Sequence, residues 1–181
     1  MEKQKNTVKI AKMGMLVAIS VVLVSLIHVS LVPSVAFLEY DPADIPILLG
    51  TFAFGPLSGV VLTVVTSVIQ GVTVSAHSGV YGIIMHIIAT SVLCLVSGIV
   101  YNYGKKKTKK HAIIGLILGT AAMVVTMIGA NMLITPIFMG VPAGVVWSLM
   151  PGIMLFNFLK GGINSVVTFL VYKRVSAFLH K

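Results

Sequence analysis

One helical face near the C-terminus groups the residue types best suited to binding a polar ligand. The residues recur at i, i+3, i+4 and i+7, which places them on one side of a helix: Asn157, Lys160, Gly161 and Asn164. Carboxamides donate and accept hydrogen bonds, whereas an ammonium only donates. The face therefore predicts a site for an anion or for a neutral ligand rich in carbonyl oxygens and ring nitrogens. The alternative is that the asparagines join helices while the lysine reaches outward or pairs with an acid, Glu39 or Asp41.

Acidic residues are concentrated in one short stretch. Three of the four in the chain, Glu39, Asp41 and Asp44, lie within six residues. Glu39 and Asp41, together with Leu38 and Tyr40, predict a loop that covers a ligand. Both acids are equally compatible with structural pairing, and the tyrosine with an interfacial position. Asp44 lies two residues before a proline, a pattern that predicts a helix N-cap.

Two further polar residues lie inside apolar segments. Lys160 is about 20 Å from the end of its helix at Lys173, at 1.5 Å per residue. Asn131 lies at a similar height above the basic end of its own helix, so we expect the two side chains at one level. His86, one turn into its helix, suits either a ligand contact or an interhelical hydrogen bond. Lys160 is expected to be the lone charge within the spanning helices, and such a charge indicates a functional site.

The composition indicates the elements that carry these residues. The chain has 181 residues, 57% hydrophobic and 9% charged, so we predict a single all-α membrane domain over residues 1–181. Apolar runs, prolines and glycines predict six transmembrane helices: Ile10 to Val32, Asp44 to Phe54, Leu57 to Val72, Val80 to Tyr103, Ala112 to Thr135 and Gly152 to Tyr172. Residues 34–42, 73–79 and 135–150 are predicted loops.

Positive charge defines the orientation. Outside Lys160, basic residues occupy three clusters, at 3–12, 105–110 and 173–181. Cationic segments favour the cytoplasmic side, and four helices separate the first two clusters while two separate the last two. Both termini are therefore predicted to be cytoplasmic, and the acidic loop external. Basic residues that flank apolar helices interact with the lipid bilayer and do not indicate nucleic-acid binding.

Several catalytic signatures are missing from the sequence. There is no Gly-x-x-x-x-Gly-Lys-Ser/Thr loop for ATP hydrolysis and no His-Glu-x-x-His metal motif. Ser75, His77 and Ser78 lie close together, but no acid nearby in sequence would orient the imidazole. The sequence favours a binder or carrier over an enzyme, with no covalent cofactor and no metal. An intramembrane enzyme and a self-sufficient channel remain the rival classes.

Small residues line one side of the first helix. Ala11, Gly14 and Ala18 recur at helical spacing, and small-xxx-small pairs let two helix backbones approach closely. The partner is either a second subunit or another helix of the same bundle.

Two segments resemble the S-components, or substrate-binding subunits, of energy-coupling factor (ECF) transporters, particularly the riboflavin-binding RibU type. The first is Leu38-Glu39-Tyr40-Asp41-Pro42-Ala43-Asp44-Ile45-Pro46, continuing through Phe52 to Gly59. The second is Phe156-Asn157-Phe158-Leu159-Lys160-Gly161, similar to the Asn-x-x-Lys-Gly motif of the last helix in that group. Asn131, followed by Pro136 and Gly140, is similar to its helix-5 asparagine region.

The resemblance implies a six-helix subunit in a prokaryotic cell membrane that captures riboflavin or an FMN-like flavin from outside. It implies that Asn131, Asn157 and Lys160 bind the isoalloxazine ring, and that the loop from Leu38 to Asp41 closes over it. It also implies partners: a transmembrane T-component that docks on Gly14 and Ala18, and two cytoplasmic ATPases that use ATP. His86 and Thr66-Ser67 replace an asparagine and Lys-Asn of the family, which leaves another vitamin-like ligand open, such as pantothenate, a queuosine precursor or lipoate.

Overall fold

A computed structural model describes residues 2–103 and 108–179, and the regular elements in these ranges are helical. Six α-helices follow one another along the chain: α1 Glu2–Leu26, α2 Asp44–Phe54, α3 Pro56–Val72, α4 Gly79–Asn102, α5 Lys109–Met139 and α6 Ala143–Leu179. Two short 3₁₀ turns, Pro33–Val35 and Ala76–Ser78, lie in the loops. By length and composition α1, α4, α5 and α6 are each sufficient to cross a membrane, whereas α2 and α3 have 11 and 17 residues. The predicted six-helix all-α fold is confirmed.

The short helices α2 and α3 form a hairpin in which α2 is buried and α3 leaves one side exposed. Gly55 adopts a left-handed φ of 98° between them, and Pro56 begins α3, so the predicted break is confirmed. Gly59 of α3 packs directly on Thr51 of α2, where a Cβ atom would overlap the threonine hydroxyl. This close approach keeps α2 buried, with the helix enclosed by its neighbours at a length of about 16 Å.

The ends of the helices cluster as the charge pattern requires. At one end, the Phe52 ring of α2 lies 4.5 Å from Tyr101 and 5.9 Å from Tyr172 (centroid distances), and Lys9 lies over the Phe54 ring at 6.0 Å. The starts of α1 and the ends of α4 and α6 therefore meet at the basic end. Residues 1, 104–107, 180 and 181, which include much of the second basic cluster, lie outside the described residues.

Several predicted helix boundaries are wrong, and the first is the end of α1. α1 ends at Leu26, short of the predicted Val32, and Val32 itself is extended, as the residue preceding a proline tends to be. Val29 then pairs with Tyr40 through two backbone hydrogen bonds of 2.8 and 2.9 Å. The result is a folded-back loop, residues 27–43, that crosses the outer end of the bundle.

The predicted loop at 135–150 is mostly helical. α5 continues through Pro136 to Met139, and α6 begins at Ala143, nine residues before the predicted Gly152. Pro136 lies in the last turn of α5, where its missing N–H removes one i→i−4 hydrogen bond near the helix end. Its carbonyl accepts the backbone N–H of Val141 at 3.1 Å. The reversal needs only residues 140–142, with Gly140 in the left-handed conformation at φ 63°.

Candidate functional site

A cavity of about 380 Å³ lies beneath the folded-back loop, between α3, α4 and α6. This volume falls within the roughly 300–1,000 Å³ typical of small-molecule sites. Six of the nine predicted ligand-binding residues line it: Leu38, Glu39, Asp41, His86, Asn157 and Lys160. The structure therefore brings together the acidic loop and the polar face of α6, as predicted.

The other three predicted residues, Tyr40, Asn131 and Asn164, do not line the cavity. Asn131 is fully buried in α5, where it donates to the carbonyl of Met127 (2.8 Å) and accepts from the hydroxyl of Thr135 (2.9 Å). Asn164 is also fully buried and accepts from the hydroxyl of Tyr40 at 2.9 Å. Their side chains orient neighbouring residues and do not themselves line the cavity.

Lys160 is paired with an acid of the loop. Its ammonium nitrogen lies 2.8 Å from a carboxylate oxygen of Asp41, and the two residues are 7% and 5% exposed. The other oxygen of Asp41 accepts the backbone N–H of Ala43 at 3.0 Å. The pairing alternative left open by the sequence is thus realised with Asp41. An ammonium has three donors, so the pair still leaves N–H groups of Lys160 for a ligand.

Asp44 is not the predicted helix cap. It is the first residue of α2, makes no capping hydrogen bond, and is fully buried. Its carboxylate instead accepts from three side chains on other helices: Thr90 at 2.7 Å, His86 at 3.1 Å and Asn164 at 3.1 Å. Consequently Lys160 is not the lone charge within the helices, and the structure corrects both predictions. An acid preceding an apolar helix has the same sequence signature in either role, so the sequence could not separate them.

His86 connects the two sides of this polar cluster. Its Nε2 atom faces Asp44, and its Nδ1 atom lies 3.1 Å from the hydroxyl of Ser67 on α3. Ser67 and His86 are two of the positions where the sequence departs from the resembled family. The two side chains contact each other, so these two departures lie together in the cavity wall.

The loop is held over the cavity by three side-chain contacts. Asp41 pairs with Lys160, Tyr40 donates to Asn164, and Glu39 lies 3.5 Å from His77 of the α3–α4 connection. Burial, and then the nearby Asp41 and Asp44 carboxylates, raise the pKa of Tyr40 above its ordinary value. The phenol therefore keeps its proton and donates to Asn164 at physiological pH.

Sequence reasoning missed the apolar walls of the cavity and one amide. The remaining lining includes aromatic rings and polar groups: Phe37, Phe138, Phe156, Tyr81, Gln70 and Ser75. The Tyr81 and Phe138 rings stack with centroids 3.9 Å apart. Gln70 had a usable signal, because it is the one amide in α3, where the other polar side chains are hydroxyls. The aromatic residues gave none, since aromatic rings in membrane helices are common on every face.

The small face of α1 lies outside the bundle. Ala11, Gly14 and Ala18 are exposed, and a Cβ atom added at Gly14 would meet nothing within 4 Å. The alternative that these residues pack within the same bundle is therefore excluded.

Comparisons with known proteins agree with this architecture. The family model described as ECF transporter, substrate-specific component, matches residues 8–172. The chain is 27% identical over 154 residues to the riboflavin transporter FmnP of Bacillus subtilis, covering 80% of each protein. It is 28% identical over 185 residues to the riboflavin transporter RibU of Streptococcus thermophilus, covering 97% of this chain and 86% of the relative.

A solved structure also matches. The S component of a bacterial ECF transporter superposes with a TM-score of 0.79 at 29% identity, and the match covers 98% of this chain and 99% of that one. The predicted S-component-like bundle is thereby confirmed, as is a multi-pass membrane protein.

Proposed function

Because this chain belongs to the family of ECF transporter substrate-specific components, we propose that it captures riboflavin at the extracellular side for ATP-driven uptake. Membership of this family confirms the prediction of a transport component and not an enzyme. Relatives named riboflavin transporters support the choice of ligand. The observation that carries the proposal is the cavity, in which Lys160 and Asn157 face aromatic and aliphatic walls.

The chemistry of the cavity suits a flavin ring. Lys160 has donors beyond the one that Asp41 uses, and Asn157 donates to the Ile153 carbonyl at 2.8 Å through only one part of its amide. A pyrimidine-dione edge presents carbonyl oxygens and ring nitrogens to such groups, while the apolar remainder of the ring packs on Phe156 and Leu38. In this arrangement Asn131 and Asn164 position the binding residues.

Uptake requires partners that supply the energy. We assign the exposed face of α1, formed by Ala11, Gly14 and Ala18, to docking on a transmembrane T-component. The support is that the face is small, apolar and unoccupied by the bundle. Two cytoplasmic ATPases would complete the importer and hydrolyse ATP.

The test of the ligand is direct. Protein purified in detergent from flavin-containing cells should be yellow with a flavin absorption spectrum, and riboflavin should bind the flavin-free protein with quenching of its fluorescence. Binding of pantothenate, a queuosine precursor or lipoate in place of any flavin would instead assign the same architecture to another vitamin-like substrate.

A further inference from the structure

A buried amide with an unused acceptor lies at the end of α3. Gln70 is 8% exposed and lines the cavity. Its Nε2 atom lies 3.4 Å from the hydroxyl of Ser75, whereas its Oε1 atom is buried without a hydrogen-bond partner among the described residues. A buried carbonyl oxygen left unpaired costs about 1–3 kcal/mol, so the position is stabilised when something in the cavity donates to it.

The groups around Gln70 are polar and lie on the mouth side of the cavity. Gln70 follows Ser67 by one turn, and α3 runs outward at this point, away from the cluster around His86. The α3–α4 connection adds the side chains of Ser75, His77 and Ser78 to the lining. Glu39 completes this rim through its 3.5 Å contact with His77.

We infer that Gln70, Ser75 and Ser78 form a second subsite, which recognises a neutral polyhydroxylated chain attached to the ring. This inference rests on the proposed function and extends it from the ring to the tail of the ligand. A hydroxyl group donates and accepts at once, so a chain of hydroxyls donates to Oε1 of Gln70 and bonds the serine hydroxyls beside it.

The same geometry selects against an anionic tail. A phosphate dianion or a carboxylate only accepts hydrogen bonds, so at the end of the chain it cannot donate to Oε1 of Gln70 as a terminal hydroxyl does. The carboxylate of Glu39 at the rim also repels it. Riboflavin, whose chain ends in a neutral hydroxyl, therefore fits this subsite better than its phosphate ester FMN, which keeps the inner hydroxyls but ends in an anion.

The experiment compares three flavins on the purified protein by fluorescence quenching: riboflavin, FMN, and lumiflavin, which has a methyl group in place of the hydroxylated chain. The parent protein should bind riboflavin about tenfold more tightly than FMN or lumiflavin, the ratio expected for about 1.4 kcal/mol. Gln70→Met keeps the length of the side chain and removes the amide. It should weaken riboflavin binding about tenfold and leave lumiflavin binding unchanged. The control Thr73→Val, at an exposed position outside the cavity, should leave the binding of both flavins unchanged.

Three results would overturn the subsite. They are equal weakening of riboflavin and lumiflavin by Gln70→Met, no weakening of either, and FMN binding to the parent as tightly as riboflavin. If Gln70→Met does not yield folded protein, Ser75→Ala decides by the same riboflavin-to-lumiflavin ratio, with an expected loss of about threefold for riboflavin alone. A parent protein that binds none of the three flavins overturns the proposed function, and the subsite with it.

Discussion

Replacing Lys160 by methionine separates ligand binding from structural pairing. Because the ammonium and the Asp41 carboxylate are 2.8 Å apart and nearly fully buried, Lys160→Met leaves a buried carboxylate without its cation. Breaking a buried pair in this way costs about 3–5 kcal/mol of folding free energy. If Lys160 also donates to the flavin, the same change removes a charged hydrogen bond of about 1.5–3 kcal/mol, which weakens binding by about 10- to 150-fold.

The double variant distinguishes the two effects. In Lys160→Met with Asp41→Asn the buried carboxylate is gone, so most of the lost stability should return. Affinity should not return, because the donor to the ligand is still missing. Thermal unfolding in detergent measures the first quantity, and titration of riboflavin fluorescence measures the second. Lys9→Met is the matched control, since Lys9 lies over Phe54 at the basic end of the bundle and does not line the cavity.

Recovery of affinity together with stability in the double variant would refute the reasoning. The affinity lost in Lys160→Met would then come from the unpaired Asp41 carboxylate and not from a missing donor to the ligand. Unchanged flavin affinity in Lys160→Met itself, in monodisperse protein, would remove Lys160 from the binding site altogether.

Three further predictions test the topology, the partner surface and the buried acid. The native Cys94 is buried and should not react with an impermeant maleimide. Cysteines placed at His77 or Pro142 should be labelled from outside, and one at Thr108 should not. External labelling at Thr108 would contradict the six-helix topology. Gly14→Leu or Ala18→Leu should abolish riboflavin uptake by cells while riboflavin still binds the purified protein, and equal loss of both would place this face inside the binding function. Asp44→Ala leaves three buried donors unpaired and should lower the free energy of unfolding by at least about 3 kcal/mol. The expected loss for Thr90→Val is about 1 kcal/mol. Similar small losses for both variants would show that the Asp44 cluster adds little stability.

The local sequence predicted the parts of the site that lie on one element. Helical periodicity placed Asn157 and Lys160 on one face of α6, and both line the cavity. The spacing of the basic clusters predicted which ends of the helices meet, which the Phe52, Tyr101 and Tyr172 contacts confirm. These features depend on the helical repeat and on the different environments at the two sides of a membrane, and both act on short stretches of chain.

The helical periodicity of the sequence could not predict contacts between different elements. Asp41 and Lys160 are 119 residues apart in sequence, and Asp44 binds three donors on two other helices. A helical pattern states which residues share a face but not which helix that face meets. It therefore could not distinguish a helix cap from a buried acid at Asp44, or choose between Glu39 and Asp41 as the partner of Lys160.

The sequence by itself determined that this protein is a six-helix membrane protein with its basic ends on one side and a polar face on its last helix. Hydropathy and charge determine those properties, because lipid excludes unpaired charge and unsatisfied backbone wherever they occur. Only the tertiary structure decided how the buried charges are paired, that the loop folds back through Val29 and Tyr40, and that Gln70 faces the cavity. Those outcomes depend on how the helices pack together, where each buried polar group must find its partner on whichever element lies beside it.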